Sequence, residues 1–131
     1  MRIGHWQLES KCGDFEGNLA KVVLGLEQAQ RERVEVVCFP ECFLTGYPDT
    51  EELARKHAFA LDSPQALKLL DGSDRFDPTL IVGFNELRGR DLYNTALVAH
   101  RGTSWAPTVS APLTCPSTSR GATSPSSSAA G

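Results

Sequence analysis

The sequence has no long apolar run and no long run of like charge. Its longest apolar stretches, such as residues 34–39 and 79–84, are far too short to cross a bilayer. The opening Met1-Arg-Ile-Gly-His-Trp lacks the hydrophobic core of a signal peptide. A cytoplasmic protein is therefore expected. Sixteen acidic residues against thirteen basic ones leave a net charge of −3, so no electrostatic footprint for nucleic acid or an anionic membrane is present. The cysteines at 12, 38, 42 and 115 form no C-x-x-C pair, and the three histidines form no His-x-x-x-His pair. That excludes a zinc finger and a disulfide framework and leaves reduced thiols as the expectation. No Gly-rich loop follows the first apolar segment, which argues against a nucleotide-binding flavodoxin-like domain.

Charge is also missing from one end. Of the 29 charged residues, only Arg120 follows Gly102. Residues 103–131 are Ser, Thr, Ala or Pro at 22 of 29 positions, too poor in large apolar side chains to offset the entropy of ordering a chain. A boundary is therefore expected near 102, with one α/β unit over 1–102 and a disordered or out-of-frame tail over 103–131. Pro107, Pro112, Pro116 and Pro125 interrupt the tail, so it is expected to be coil that adds no strand to the preceding sheet.

Residues 1–102 alternate strand and helix signals. Ile3, Trp6 and Leu8 mark a strand over 1–8. Asp14 can cap a helix whose apolar face recurs at Leu19, Val22, Val23, Leu26 and Ala29, running to about Arg33. Residues 34–39 are rich in β-branched side chains and stop at Pro40, which completes a βαβ pattern. Glu41 follows at the carboxyl end of that strand, where open α/β sheets place their chemistry. A short helix over 50–60 and a second from Ser63-Pro64, closed by Asp71-Gly72, come next. Two strands, 79–84 and 92–99, are joined by a hairpin-sized connection.

Five ordered features then coincide: Gln7, Gly13-Asp14-x-x-x-Asn18, Phe39-Pro-Glu-x-Phe-Leu-Thr-Gly-Tyr47, Val82-Gly-Phe-x-Glu86 and Tyr93-Asn-Thr-Ala. Together they resemble the nitrilase superfamily of carbon–nitrogen hydrolases, over residues 1–102 only. The resemblance implies an α-β-β-α sandwich, here truncated after about four strands, in a family that forms homo-oligomers. It implies hydrolysis of a non-peptide C–N bond in a small-molecule amide, nitrile or carbamoyl compound, with no metal or organic cofactor. A cysteine forms a thioester, a lysine holds the oxyanion, and a glutamate acts as general base. The glutamate carries over to Glu41. A carboxylate, ordinarily near 4.3, serves as a base near neutral pH only if burial raises its pKa, so Glu41 is expected to face the interior.

The remaining candidates are structural on sequence grounds. Cys42 adjoins Glu41, but neighbours in an extended chain point to different sides. Cys38 reads as a small buried hydrophobe, while Glu86, Tyr93 and Asn94 match family positions without a catalytic role. Cys12 and Cys115 match no nucleophile motif. The family's lysine belongs to a Gly-x-Tyr-Arg-Lys segment just past Gly102, yet the last lysine is Lys68, and the nucleophile strand is absent too. Without them the chain is not expected to turn over.

The tail's composition suggests why. Its codons carry C or G at the second base in 27 of 29 residues, as the third position of a GC-rich gene would if read one base out of frame. Shifting the frame forces Gly across Trp105/Ala106 and permits Tyr, Arg and Lys across the steps from Pro107 to Ser110. Against this stands a second reading, a catalytically dead nitrilase-like interaction module.

Overall fold

The computed structural model describes residues 1–113, with only the backbone for 105–109. Among the described residues five strands form one mixed sheet in chain order: β1 (Ile3–His5), β2 (Val36–Cys38), β3 (Thr79–Arg88), β4 (Asp91–His100) and β5 (Thr103–Pro112). β1, β2 and β3 run parallel, whereas β3, β4 and β5 form antiparallel hairpins. Helices α1 (Phe15–Arg31), α2 (Glu51–His57) and α3 (Pro64–Ser73) make the connections within the parallel part.

Each helix begins where its sequence provides a cap. Asp14 accepts a bond from the Gly17 amide, Thr50 from Leu53, and Ser63 from Ala66 ahead of Pro64. Asp71-Gly72 does not stop α3, which runs one residue further to Ser73. Both parallel strands are shorter than their apolar runs, because pairing holds only over three residues of each.

The core lies on one face of the sheet. Val22, Leu26 and Ala29 of α1 and Ala66 and Leu69 of α3 pack on Val37, Leu80, Val82, Phe84, Leu97 and Ala99. The alternation of β3 and β4 turns Ile81, Ala96 and Val98 to the opposite face, where they stay half-exposed. Among the described residues no second layer covers that face, so the architecture is one α-β half of a four-layer sandwich, with five strands instead of four.

β5 corrects the expectation of coil after Gly102. Residues 103–105 and 109–112 pair with β4, and the register slips between Ala96 and Val98. Pro107 falls within that irregularity and Pro112 at the strand end, the positions where a missing N–H is tolerated. The turn before it is a two-residue hairpin loop, Arg101-Gly102, with φ of 47° and 73°. Positive φ at both positions matches the right-handed twist of the flanking strands. Strand pairing uses backbone groups, so a side-chain mixture unfit for a core still extends the sheet. Residues 114–131, including Cys115 and most of the tail, lie outside the described residues.

Candidate active site

The site is built on the uncovered face, where the chain leaving β2 crosses β3. Phe39 donates its amide to the Ile81 carbonyl at 2.8 Å, and Leu44 donates to the Gly83 carbonyl at 3.0 Å. Between these anchors residues 41–45 form a succession of turns, with Cys42 in the left-handed region at φ 54°. The crossing is close because position 83 has no side chain. A Cβ there would stand 2.7 Å from the Cys42 nitrogen and 2.9 Å from both the Glu41 Cα and the Pro40 carbonyl oxygen. Phe43 and Leu44 are fully buried, and the Thr45 hydroxyl donates to the Cys42 carbonyl and accepts from the Asn85 amide. The loop is thus held at both ends and in the middle.

Glu41 stands at the carboxyl end of β2, as its position after Pro40 implies, but it is exposed. The expected burial requires a layer over this face, which the described residues do not provide. Its Oε1 accepts a hydrogen bond from the Asn94 Nδ2. The carboxylate opens on a cleft of about 330 Å³ whose walls include Phe39, Ile81, Gly83, Asn94 and Ala96. Among the described residues no lysine, cysteine or histidine lines that cleft. Lys68 is remote, paired with Glu16 on the helix layer.

Cys42 lies beneath Glu41, not beside it in an extended strand. Its thiol is buried and donates to the Asn85 Oδ1 at 3.1 Å, with the Asn94 Oδ1 at 3.8 Å. Burial, reinforced by the adjacent Glu41 charge, pushes the thiol up to about 12 from an ordinary 9.0. A thiol held neutral is a poor nucleophile. Iodoacetamide at neutral pH should therefore modify exposed Cys12 and spare Cys42 in the folded chain, as read by peptide mass mapping; rapid Cys42 labelling would contradict the placement. Because the thiol's pKa is raised on folding, its contribution to stability is intact below about pH 9 and is lost as pH climbs toward 12. Urea midpoints should fall across that window, and less so in Cys42→Ala. Cys38, half-buried instead of fully buried, is also raised by burial.

Glu86 belongs to the other face of β3. It is 2% exposed and accepts from Arg88 at 2.8 and 2.9 Å and from the Thr95 hydroxyl at 2.7 Å. Arg88 reaches on to the Ser110 hydroxyl of β5 and lies over the Tyr93 ring, and its bonds to Glu86 raise its pKa. This network ties three strands together on the face opposite the Glu41 carboxylate. Asn94 is the site residue that sequence reasoning set aside. Its signal was membership of the Tyr93-Asn-Thr-Ala motif, but only the β3–β4 register, which pairs Asn94 with Asn85, brings it under Glu41. Among the described residues no group of His, Cys, Asp and Glu could hold a metal ion, and no helix is long and apolar enough to cross a membrane.

Residues 2–110 match the carbon-nitrogen hydrolase family model. The chain belongs to the carbon-nitrogen hydrolase family. It is 34% identical over 103 residues to a glutamine-dependent NAD(+) synthetase of Thermotoga maritima, covering 78% of this chain and 18% of that protein. To an aliphatic nitrilase of Rhodococcus rhodochrous it is 35% identical over 98 residues, covering 65% of this chain and 27% of the nitrilase. The chain thus spans well under a third of the length of these two relatives. Its fold agrees with that of XC1258 from Xanthomonas campestris, a CN-hydrolase superfamily protein, at a TM-score of 0.67 and 22% identity, over 80% of this chain and 38% of that one. Saccharomyces cerevisiae Nit3, of the nitrilase superfamily, aligns at a TM-score of 0.66 and 21% identity, over 84% of this chain and 42% of Nit3.

Proposed function

We propose that Glu41 is the general base of a carbon–nitrogen hydrolase acting on a small amide, nitrile or carbamoyl compound, and that this chain supplies only the Glu41 part of the site. The observation that carries the reading is the placement of Glu41 at the end of a parallel strand, opening on a cleft of the sheet's uncovered face. In that reaction Glu41 takes the thiol proton as sulfur bonds to the substrate carbon; with an amide the proton passes to the departing amine as the thioester forms, and with a nitrile it passes to the nitrogen, giving a thioimidate that one water converts to the thioester with loss of ammonia. Water, deprotonated by the same carboxylate, then cleaves the thioester and regenerates the thiol. Among the described residues the cleft offers neither a thiol nor an oxyanion donor from a lysine, which supports the reading that this chain carries the base without its partners.

The out-of-frame reading of residues 103–131 belongs to the same proposal. Backbone pairing of β5 is compatible with it, since a shifted frame changes side chains and leaves the peptide groups that pair. The test compares two proteins on a panel of amides and nitriles. The 131-residue chain should release no ammonia above its Glu41→Gln variant. The product of a gene with the frame restored near codon 103 should hydrolyse at least one compound, lose activity on thiol alkylation, and lose about 10²–10⁴-fold in kcat on Glu41→Gln. Glu41-dependent hydrolysis by the 131-residue chain would overturn the incomplete-site reading, and a restored protein indifferent to Glu41→Gln would overturn the base assignment.

A further inference from the structure

Asn94 is placed to do more than support the sheet. It sits on β4, flanked in register by Asn85 of β3 and Ala111 of β5, so its backbone is held on both sides. Its side chain faces two groups of opposite hydrogen-bonding character. One is the Glu41 carboxylate, which when ionised only accepts; the other is the Cys42 thiol, which is kept protonated and can donate. These neighbours settle the carboxamide's orientation. Nδ2 must face Glu41 and Oδ1 must face Cys42, because a flipped amide would set oxygen against carboxylate. Asn85 shares the thiol through its own Oδ1 at 3.1 Å, which ties Cys42 to the strand next to Asn94.

The consequence falls on Glu41. Its Oε1 is occupied by Asn94, while Oε2 has no hydrogen-bond partner among the described residues. We infer that Asn94 is the positioning residue of the general base: it anchors Glu41 through Oε1, so that Oε2 is the oxygen presented to the cleft for proton transfer. This inference rests on the assignment of Glu41 as the base, but it concerns how the carboxylate is held, and it can be read without any hydrolysis. An exposed glutamate with three rotatable bonds gains a fixed direction from a strand-borne donor whose own orientation is locked.

The test is the side-chain amide spectrum of the full 131-residue chain labelled with ¹⁵N-asparagine, with Asn94→Ala identifying its resonance pair. In the parent chain one Asn94 Nδ2 proton should lie downfield of its partner and exchange slowly with solvent. Glu41→Ala should return both protons to the positions of a free carboxamide, whereas Glu41→Gln, which keeps a neutral acceptor, should give an intermediate splitting. Cys42→Ser, which keeps a donor to Oδ1, should preserve the splitting, and Cys42→Ala should reduce it. Because Glu41 is exposed, its substitution should leave the backbone amide spectrum of α1 and α3 unchanged, which separates loss of the clamp from loss of the fold. An Asn94 pair that ignores Glu41→Ala would make its role structural and overturn the inference. The ammonia-release comparison above would be untouched by that result, so failure of the clamp and failure of the base assignment are told apart.

Discussion

Gly83→Ala should destabilise the chain by about 3 kcal/mol, at the upper end of what overpacking a well-fitted position costs. The added Cβ would fall 2.7 Å from the Cys42 nitrogen and within 2.9 Å of the Glu41 Cα and the Pro40 oxygen. All three are backbone atoms, so no rotamer change relieves the clash. Either the loop lifts from β3 and carries Glu41 with it, or the strand bends away from a pairing it makes on both sides. In urea, with a slope of roughly 1–3 kcal/mol per molar, the midpoint should drop by at least about 1 M. The control is Gly89→Ala, at a hairpin turn with open space around the position. Its positive φ of 61° should cost only about 1 kcal/mol. Equal effects at the two glycines would mean that the loop does not rest on Gly83.

Phe84→Ala should be larger still, about 3–5 kcal/mol. The ring is fully buried and stacks on Phe59 at 4.5 Å with planes 7° apart, and Phe59 in turn meets the edge of Phe15. Truncation removes the β3 end of a three-ring column, centred on Phe59, that binds β3 to α1 and to the segment after α2. Against a total stability of roughly 5–15 kcal/mol for a domain, such a loss should leave a large unfolded fraction at 37 °C, measurable by circular dichroism. Ile81→Ala, three residues earlier on the opposite face, removes a half-exposed side chain and should cost markedly less. If Ile81 proved the costlier site, the core would have been assigned to the wrong face of the sheet.

Much of this architecture was legible from local chemistry. The Asp14 and Ser63 caps, the α1 apolar stripe and the Pro40 stop each depend on a residue and its near neighbours, and each is found where the pattern places it; the expected helix over 50–60 is shorter, Glu51–His57, with Thr50 as its cap. Glu41 at a strand's carboxyl end follows from the same reasoning. The β5 strand was missed because composition dominated the reading of the chain past Gly102. Composition marks a boundary at Gly102, yet a hairpin needs only a tolerated turn, here Arg101-Gly102, and backbone groups facing an unpaired edge.

What lay beyond the sequence was which side of each strand meets which layer. Burial of Glu41 was expected from a sandwich core, but burial belongs to the pair of layers, and on this face the described residues provide one. Asn94 matches a family position without a catalytic role, and Cys42 would point away from Glu41 in an isolated extended segment. The β3–β4 register and the left-handed turn at Cys42 place one residue beside the carboxylate and the other beneath it. The sequence by itself determined the Asp14 and Ser63 caps, the order of strands and helices through β4, the family and the place of Glu41 just after β2. Only the tertiary structure decided which groups touch that glutamate, because contacts between residues 41, 42, 85 and 94 depend on register and face, and these are settled by packing across the sheet.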